Sequence, residues 1–327
     1  MSILNQQFQN SIFFHSRYFF NFLPMTTTSF EQQINKKLWF AAIKPPMYSV
    51  AVIPIWVGTA MAYGDTQQIY WSIFLTFLSS AVLIIAWLNL SNDVFDADTG
   101  IDKNKAHSVV NLTQNKSLVF WISNLCLLLG LGGIVAIALW QQDMMIVGIV
   151  LLCCALGYTY QGPPFRLGYQ GLGEIICFIC FGPLAIAAAY YSQTQTFSIP
   201  VLIASTLIGL TTSIILFCSH FHQVQDDLAA GKRSPIVRLG TALSARVLAW
   251  STGIIFALTV LLICLGYTPL GTVLIFFSLP VAYQLVSHVN AHHDQPKLVS
   301  NCKFLAVKLH FWSGLLWGFG FIIPGVF

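Results

Sequence analysis

Charge is scarce in this sequence. Asp, Glu, Lys and Arg make up 8% of its 327 residues, against about 25% in an ordinary soluble domain. With 56% hydrophobic residues and a mean hydropathy of +0.73, that shortage excludes a soluble globular enzyme. A formal net charge of +4 spread over 36.3 kDa builds no basic patch, so a nucleic-acid partner is excluded too. The eight Cys are scattered and sit mostly inside apolar runs, which excludes a disulfide-stapled secreted domain. Alternation is also missing. The apolar stretches are continuous and do not read as barrel strands. What is left is an all-α polytopic protein with the lipid bilayer as its partner.

Nine apolar stretches approach the length of about 20 residues needed to span a bilayer. They are Met47–Tyr63, Tyr70–Leu90, Leu118–Trp140, Met144–Tyr160, Leu172–Tyr191, Ile199–Cys218, Val247–Tyr267, Leu270–Val286 and Val307–Phe327. The expectation is nine membrane helices bundled around a central cavity. With nine spans, all 15 Lys and Arg fall on the side that holds the N-terminus. The positive-inside rule makes that side cytoplasmic. Residues 41–327 form one membrane domain on this reading. Residues 1–40 are an extension, with an apolar cluster from Phe13 to Leu23 too short to span. Two readings stand for it: an interfacial amphipathic helix, or a chain whose true start is Met25.

In so apolar a chain the carboxylates are informative. Asp93, Asp96, Asp98 and Asp102 follow span two, and Asp226 and Asp227 follow span six. Asn89, Asn92, Asp93 and Asp96 are spaced i, i+3, i+4, i+7 and share one helical face. Ser219, His222, Gln223 and Asp226 repeat that spacing. Two polar stripes at one depth predict helices facing each other across a cavity. Oxygen-only ligands suit Mg²⁺, which takes one or two carboxylates and completes its shell with phosphate oxygens and water. A diphosphate substrate is implied by that ligand set. Lys103, Lys105, Lys232, Arg233 and Arg238 lie close by in sequence. Each is either a phosphate contact or a topology anchor.

The connection between spans four and five reads LGYTYQGPPFRLGYQGLGE. Pro163, Pro164 and its glycines enforce a turn. Tyr158 and Tyr160 end a helix, where a ring facing the cavity would stabilise a cation. Tyr169 reads as part of an interfacial aromatic belt. Cys177 and Cys180 have metal-ligand spacing but no polar companions, and read as apolar filling. His288, His292 and His293 read as solvated interface residues. Glu174 is either a helix N-terminal carboxylate or a cavity residue.

Taken together, these features resemble the UbiA-type aromatic prenyltransferases. Three segments carry the resemblance: Asn92-Asp93-x-x-Asp96-x(5)-Asp102, the Tyr158–Glu174 loop, and Phe221–Gly240. The spacing from Asp96 to Asp102 and the loop sequence are similar to the MenA branch, which prenylates 1,4-dihydroxy-2-naphthoate. HFHQ before Asp226 is similar to the phototroph version, which uses phytyl diphosphate. Lys44-Pro45 resembles the family's basic lead-in to span one. The resemblance implies transfer of a prenyl group to the naphthoate with loss of carbon dioxide and diphosphate, in phylloquinone or menaquinone biosynthesis. It implies Mg²⁺ held by Asp93, Asp96, Asp226 and Asp227, with Tyr158 acting alongside Asp93, Asp96 and Asp227 in catalysis. Asn89, Asn92, Lys103, Lys105, Arg166, His222, Gln223, Lys232 and Arg238 would bind substrate. One departure stands out: the first Asp of the family's second DxxxD motif falls at Gln223.

Other acceptors suit the same fold, among them homogentisate, 4-hydroxybenzoate and a chlorophyllide. A transporter is the rival from another class. Transporter sites lie near the bilayer midplane, whereas these ionisable residues gather at one membrane face.

Overall fold

In the computed structural model, residues 36, 38–101 and 108–323 are described. They form helices joined by short connections, and no strand occurs among them. Nine apolar helices carry the architecture: α1 (Ser49–Thr66), α2 (Trp71–Thr99), α3 (Lys116–Gln141), α4 (Met145–Gln161), α5 (Gly173–Thr194), α6 (Ile199–Ser219), α7 (Thr241–Cys264), α8 (Leu270–His292) and α9 (Cys302–Ile322). Among the described residues eight helical segments are long and apolar enough to cross a bilayer. The ninth, α4, has 17 residues and falls short of that length, so the expected nine spans become eight plus one shorter apolar helix. The chain is an integral membrane protein.

The helices make a closed ring. Each packs on its neighbour in sequence, and α9 returns to pack on α1. The largest contacts across the ring are α1 on α5 and α6 on α9. The α1–α5 approach depends on Gly58, where a Cβ would stand 2.6 Å from the Cβ of Ala189. The apolar core has two halves. One joins α1 to α5–α9 around Trp317, Leu207 and Ile53; the other joins α1–α5 around Ile134, Ile137 and Ile146.

Several boundaries differ from expectation for identifiable reasons. Helix α2 runs on to Thr99, past the apolar stretch, because its polar last turns are buried against neighbouring segments. Helix α8 opens as a 3₁₀ turn over Leu270–Ser278. Pro280 has no N–H to offer the preceding turn, and Leu279 bonds back three residues to Phe276. That helix continues to His292, so His288 and His292 lie on it, with ring centroids 5.2 Å apart. Pro183 sits inside a π-helical turn, Cys180–Leu184, within α5. At the end of the bundle away from the basic residues, the hydroxyls of Tyr190 and Tyr191 donate to Asp65 and Asp143.

Candidate active site

The first acidic motif lies on the last three turns of α2, so Asn89, Asn92, Asp93 and Asp96 share one face as their spacing requires. Asp93 is buried. Its Oδ1 pairs with Lys44 Nζ at 3.0 Å, and its Oδ2 accepts the Val109 backbone N–H at 2.8 Å. Lys44 adopts a left-handed backbone (φ 54°) ahead of the turn Pro45–Tyr48. Asp96 accepts from the Gln161 side-chain amide and, at 3.4 Å, from the Tyr169 hydroxyl. That hydroxyl is also 2.7 Å from Thr99 Oγ1.

The second motif is built differently from the expected stripe. Helix α6 stops at Ser219, His220–Gln223 make a turn, and a short helix, Val224–Ala229, follows. Ser219, His222, Gln223 and Asp226 therefore do not share a helical face. The break lets Asp227 fold back on His220. Asp227 is fully buried, with Oδ2 3.1 Å from His220 Nδ1 and Oδ1 3.5 Å from Lys232 Nζ. The other ring nitrogen of His220 stands 3.5 Å from Glu174 Oε1. Burial opposes charge on Asp227, but the His220 hydrogen bond and the Lys232 charge outweigh it and hold its carboxyl below the usual range. Burial pushes the His220 imidazole down. Asp226, its neighbour on the short helix, is exposed. Gln223 caps that helix and is half-buried.

A ring bridges the two motifs. Lys232 Nζ lies 5.8 Å from the centroid of Tyr169, whose hydroxyl reaches Asp96. Burial pushes the Tyr169 hydroxyl up to about 12, so at neutral pH it is a donor. Tyr169 thus contacts both acidic motifs, one through Asp96 and the other through Lys232. Arg238 is the reverse case. Its guanidinium donates to the carbonyls of Arg233 (3.0 Å) and Gln170 (2.6 Å), pinning two loops together.

Next to the motifs, helices α1 to α6 line a cavity of about 250 Å³. Its wall runs along α2 from Phe77 to Asn92, about 22 Å at a rise of about 1.5 Å per residue. Asn89, Asn92 and Ser219 mark the polar end, while Phe77, Ile134 and Ala188 line the apolar remainder. Tyr160 is the tyrosine in this wall. Its ring fits because positions 168 and 173 are glycine: a Cβ at either would stand 2.6 or 2.7 Å from the ring. Tyr158 turns outward instead, is 38% exposed, and donates to the Pro163 carbonyl at 2.8 Å. Cys177 and Cys180 also line the cavity, and both are free thiols. Arg166 is half-buried with its Nε lacking a hydrogen-bond partner, and His222 is half-buried. Lys103, Lys105 and Asp102 lie outside the described residues, as does nearly all of 1–40.

Lys44, Gln161, Tyr169, His220 and Glu174 thus join the site beyond the residues that motif spacing picks out. The signal available for Tyr169 and Glu174 was the glycine-rich loop that carries them. His220 had only its place seven residues before Asp227.

Among the described residues no three His, Cys, Asp or Glu side chains converge closely enough to hold a metal unaided. The donors at the first motif are all oxygens, two carboxylates one turn apart with Asn92 beside them. That set fits a hard cation whose remaining ligands are phosphate oxygens and water.

Comparison with known proteins agrees with this geometry. The UbiA prenyltransferase family matches residues 51–315. The 2-carboxy-1,4-naphthoquinone phytyltransferase of Synechocystis sp. is 60% identical over 88% of this chain and 93% of its own. Its chloroplastic counterpart in Arabidopsis thaliana is 43% identical over 90% of this chain and 79% of its own. Among solved structures, a UbiA homolog from Archaeoglobus fulgidus has a TM-score of 0.60 at 15% identity, over 86% of this chain and 99% of that one. The same homolog bound to GPP and Mg²⁺ gives a TM-score of 0.53 at 14% identity, over 86% and 99%.

Proposed function

The chain belongs to the UbiA prenyltransferase family, and from that premise we propose that it transfers a phytyl group from phytyl diphosphate to 1,4-dihydroxy-2-naphthoate. Carbon dioxide and diphosphate are the other products. The observation that carries this reading is a long apolar cavity whose polar end is formed by Asn89 and Asn92, on the same helical turns as Asp93 and Asp96. The naming of a relative at 60% identity as a phytyltransferase supports the donor. Residues 41–327 form the catalytic domain and residues 1–40 an extension outside it. The site faces the cytoplasm of a plasma or thylakoid membrane, because all 15 basic residues fall on that side.

The residues divide the work. Asp93, Asp96 and Asp227 would hold Mg²⁺ against the diphosphate, with Asn92 as a neutral oxygen donor. When bound, Mg²⁺ neutralises the charge that develops on the diphosphate as the allylic C–O bond breaks. Lys232 and Arg166 add positive charge at the same face, and Lys103 and Lys105 lie outside the described residues. His220, held between Asp227 and Glu174, fixes the Asp227 carboxylate. The cavity wall keeps water from the allylic cation, and the Tyr160 ring faces it. The electron-rich ring carbon bearing the carboxylate attacks, and carbon dioxide leaves from that carbon. The Synechocystis enzyme is named for the quinone, two electrons more oxidised. An allylic cation calls for the electron-rich dihydroxy ring.

The test uses purified chain in detergent with Mg²⁺, phytyl diphosphate and a panel of acceptors: dihydroxynaphthoate, its quinone, homogentisate and 4-hydroxybenzoate. The expected product by mass is the phytylated, decarboxylated naphthalene diol, from dihydroxynaphthoate alone. Turnover without a sealed compartment also separates an enzyme from a transporter. Preferential prenylation of homogentisate or 4-hydroxybenzoate would overturn the acceptor assignment.

A further inference from the structure

An open cleft of about 690 Å³ lies between the loop after α4 and the segment that follows the second motif. One wall is residues 169–172, and the other includes Arg233, Arg238 and Leu239. Among the described residues no carboxylate lines it. The two walls are fastened to each other. The Arg233 N–H donates to the Tyr169 carbonyl at 2.8 Å. Gly171 comes so close that a Cβ there would stand 2.5 Å from the Arg233 carbonyl oxygen. Arg238 adds its bonds to the Arg233 and Gln170 carbonyls. Those acceptors are neutral and leave the guanidinium charge unbalanced. Arg233 and Arg238 are both exposed, and among the described residues no carboxylate pairs with either. Beyond the arginines the surface turns apolar. Leu172 and Leu239 form the lip of the cleft. Ile175 and Ile179 continue from Leu172 along one face of α5, Leu243 follows Leu239 into α7, and all of these side chains are exposed.

We propose that this cleft binds the headgroup of an anionic phospholipid, with the two arginines on the phosphodiester and the acyl chains running over Ile175, Ile179 and Leu243. Guanidinium groups hold phosphate oxygens through charge-assisted hydrogen bonds. Arg238 keeps Nη1 for that role, because Nε and Nη2 go to the two carbonyls. A zwitterionic lipid is disfavoured, since its ammonium group would face the same two positive charges. A soluble phosphate or diphosphate would leave the apolar lip unused, and the cleft offers no carboxylate to hold a metal beside it. Chemistry and position therefore favour a lipid. The two loops that Arg238 fastens carry Tyr169 and Lys232. A seated headgroup reinforces that joint from outside, without touching the cavity. The inference stands on the membrane architecture and needs nothing of the prenyl-transfer reading.

The experiment places the full-length chain in nanodiscs made from an equal mixture of phosphatidylcholine and phosphatidylglycerol. Native mass spectrometry of the released chain then counts the lipid it retains. The parent should retain phosphatidylglycerol in preference to phosphatidylcholine. Arg233→Gln should lower that preference about fivefold, the effect of one basic residue at an anionic surface, and Arg233→Lys should keep most of it. Lys297→Gln removes the same charge from an exposed position outside the cleft and should leave the preference unchanged. Independently of any variant, a phosphatidylglycerol with a photoreactive headgroup should crosslink to residues 169–172 or 231–239 of the unmodified chain. Excess inorganic phosphate should not block that crosslinking. Equal losses in Arg233→Gln and Lys297→Gln would reduce the effect to diffuse attraction and overturn the proposal. Crosslinks confined to other segments would overturn it too, and so would blockade by inorganic phosphate, which would make the cleft an anion site with no lipid in it.

Discussion

The Tyr169 hydroxyl donates to Asp96 across 3.4 Å, joining the loop after α4 to the first acidic motif on α2. The same ring carries the Lys232 ammonium 5.8 Å from its centroid. One side chain therefore links the two acidic motifs, and its place depends on a loop and not on a helix. Tyr169→Phe keeps the ring and loses the donor. The bond is long, so the expected loss in kcat/KM for phytyl diphosphate is about three- to tenfold. Tyr169→Ala also removes the platform under Lys232 and should cost more. Steady-state kinetics on the two variants measures the difference; equal losses would place the whole effect in the hydroxyl.

The second motif separates two adjacent carboxylates. Asp227 is buried between His220 and Lys232, while Asp226 is exposed. Asp227→Asn should lower kcat by about a hundredfold or more, because it removes a charge from a site that must gain stabilisation in the transition state. Asp226→Asn should stay within about twofold of the parent, as surface substitutions away from a site usually do. Gln223→Ala should fall between them, because its half-buried side chain makes no cap bond and only its packing is lost. Turnover against Mg²⁺ concentration for the three variants settles the order, and a dead Asp226→Asn enzyme with a working Asp227→Asn enzyme would reverse it.

Tail length is read along the cavity. Ala81 lines the wall of α2 more than ten residues below Asn92, about 16 Å at the helical rise. Ala81→Phe should block the far end. Transfer from phytyl diphosphate should drop about tenfold or more, while transfer from geranyl diphosphate stays close to the parent. Product masses from the two donors in competition give the ratio. An unchanged ratio would place the tail outside this cavity.

Much of this architecture was legible in the residues, for physical reasons. Helices in lipid must satisfy their own backbone, so span positions follow from apolar runs, and the α2 stripe follows from helical periodicity. Span ends were less legible. Asp93 and Asp96 extend α2 beyond its apolar stretch because Lys44, Val109 and Gln161 satisfy them there, and those partners are 16 to 65 residues away. The second motif misled for the opposite reason. Its spacing copies a helical stripe, but the chain turns at His220 so that Asp227 is buried and Asp226 is not. Tyr158 and Tyr160 both sit at the end of α4. Only the close fit of a ring against Gly168 and Gly173 puts Tyr160 in the cavity, and that is a tertiary fact.

In the proposed reaction the ring carbon that attacks the prenyl cation is the one that bears the carboxylate. The direct measurement is release of carbon dioxide from carboxyl-labelled 1,4-dihydroxy-2-naphthoate, run with purified chain, Mg²⁺ and phytyl diphosphate. Labelled carbon dioxide is expected mole for mole with phytylated product, and none when Asp93→Asn replaces the parent. A phytylated product that retains the label would contradict it.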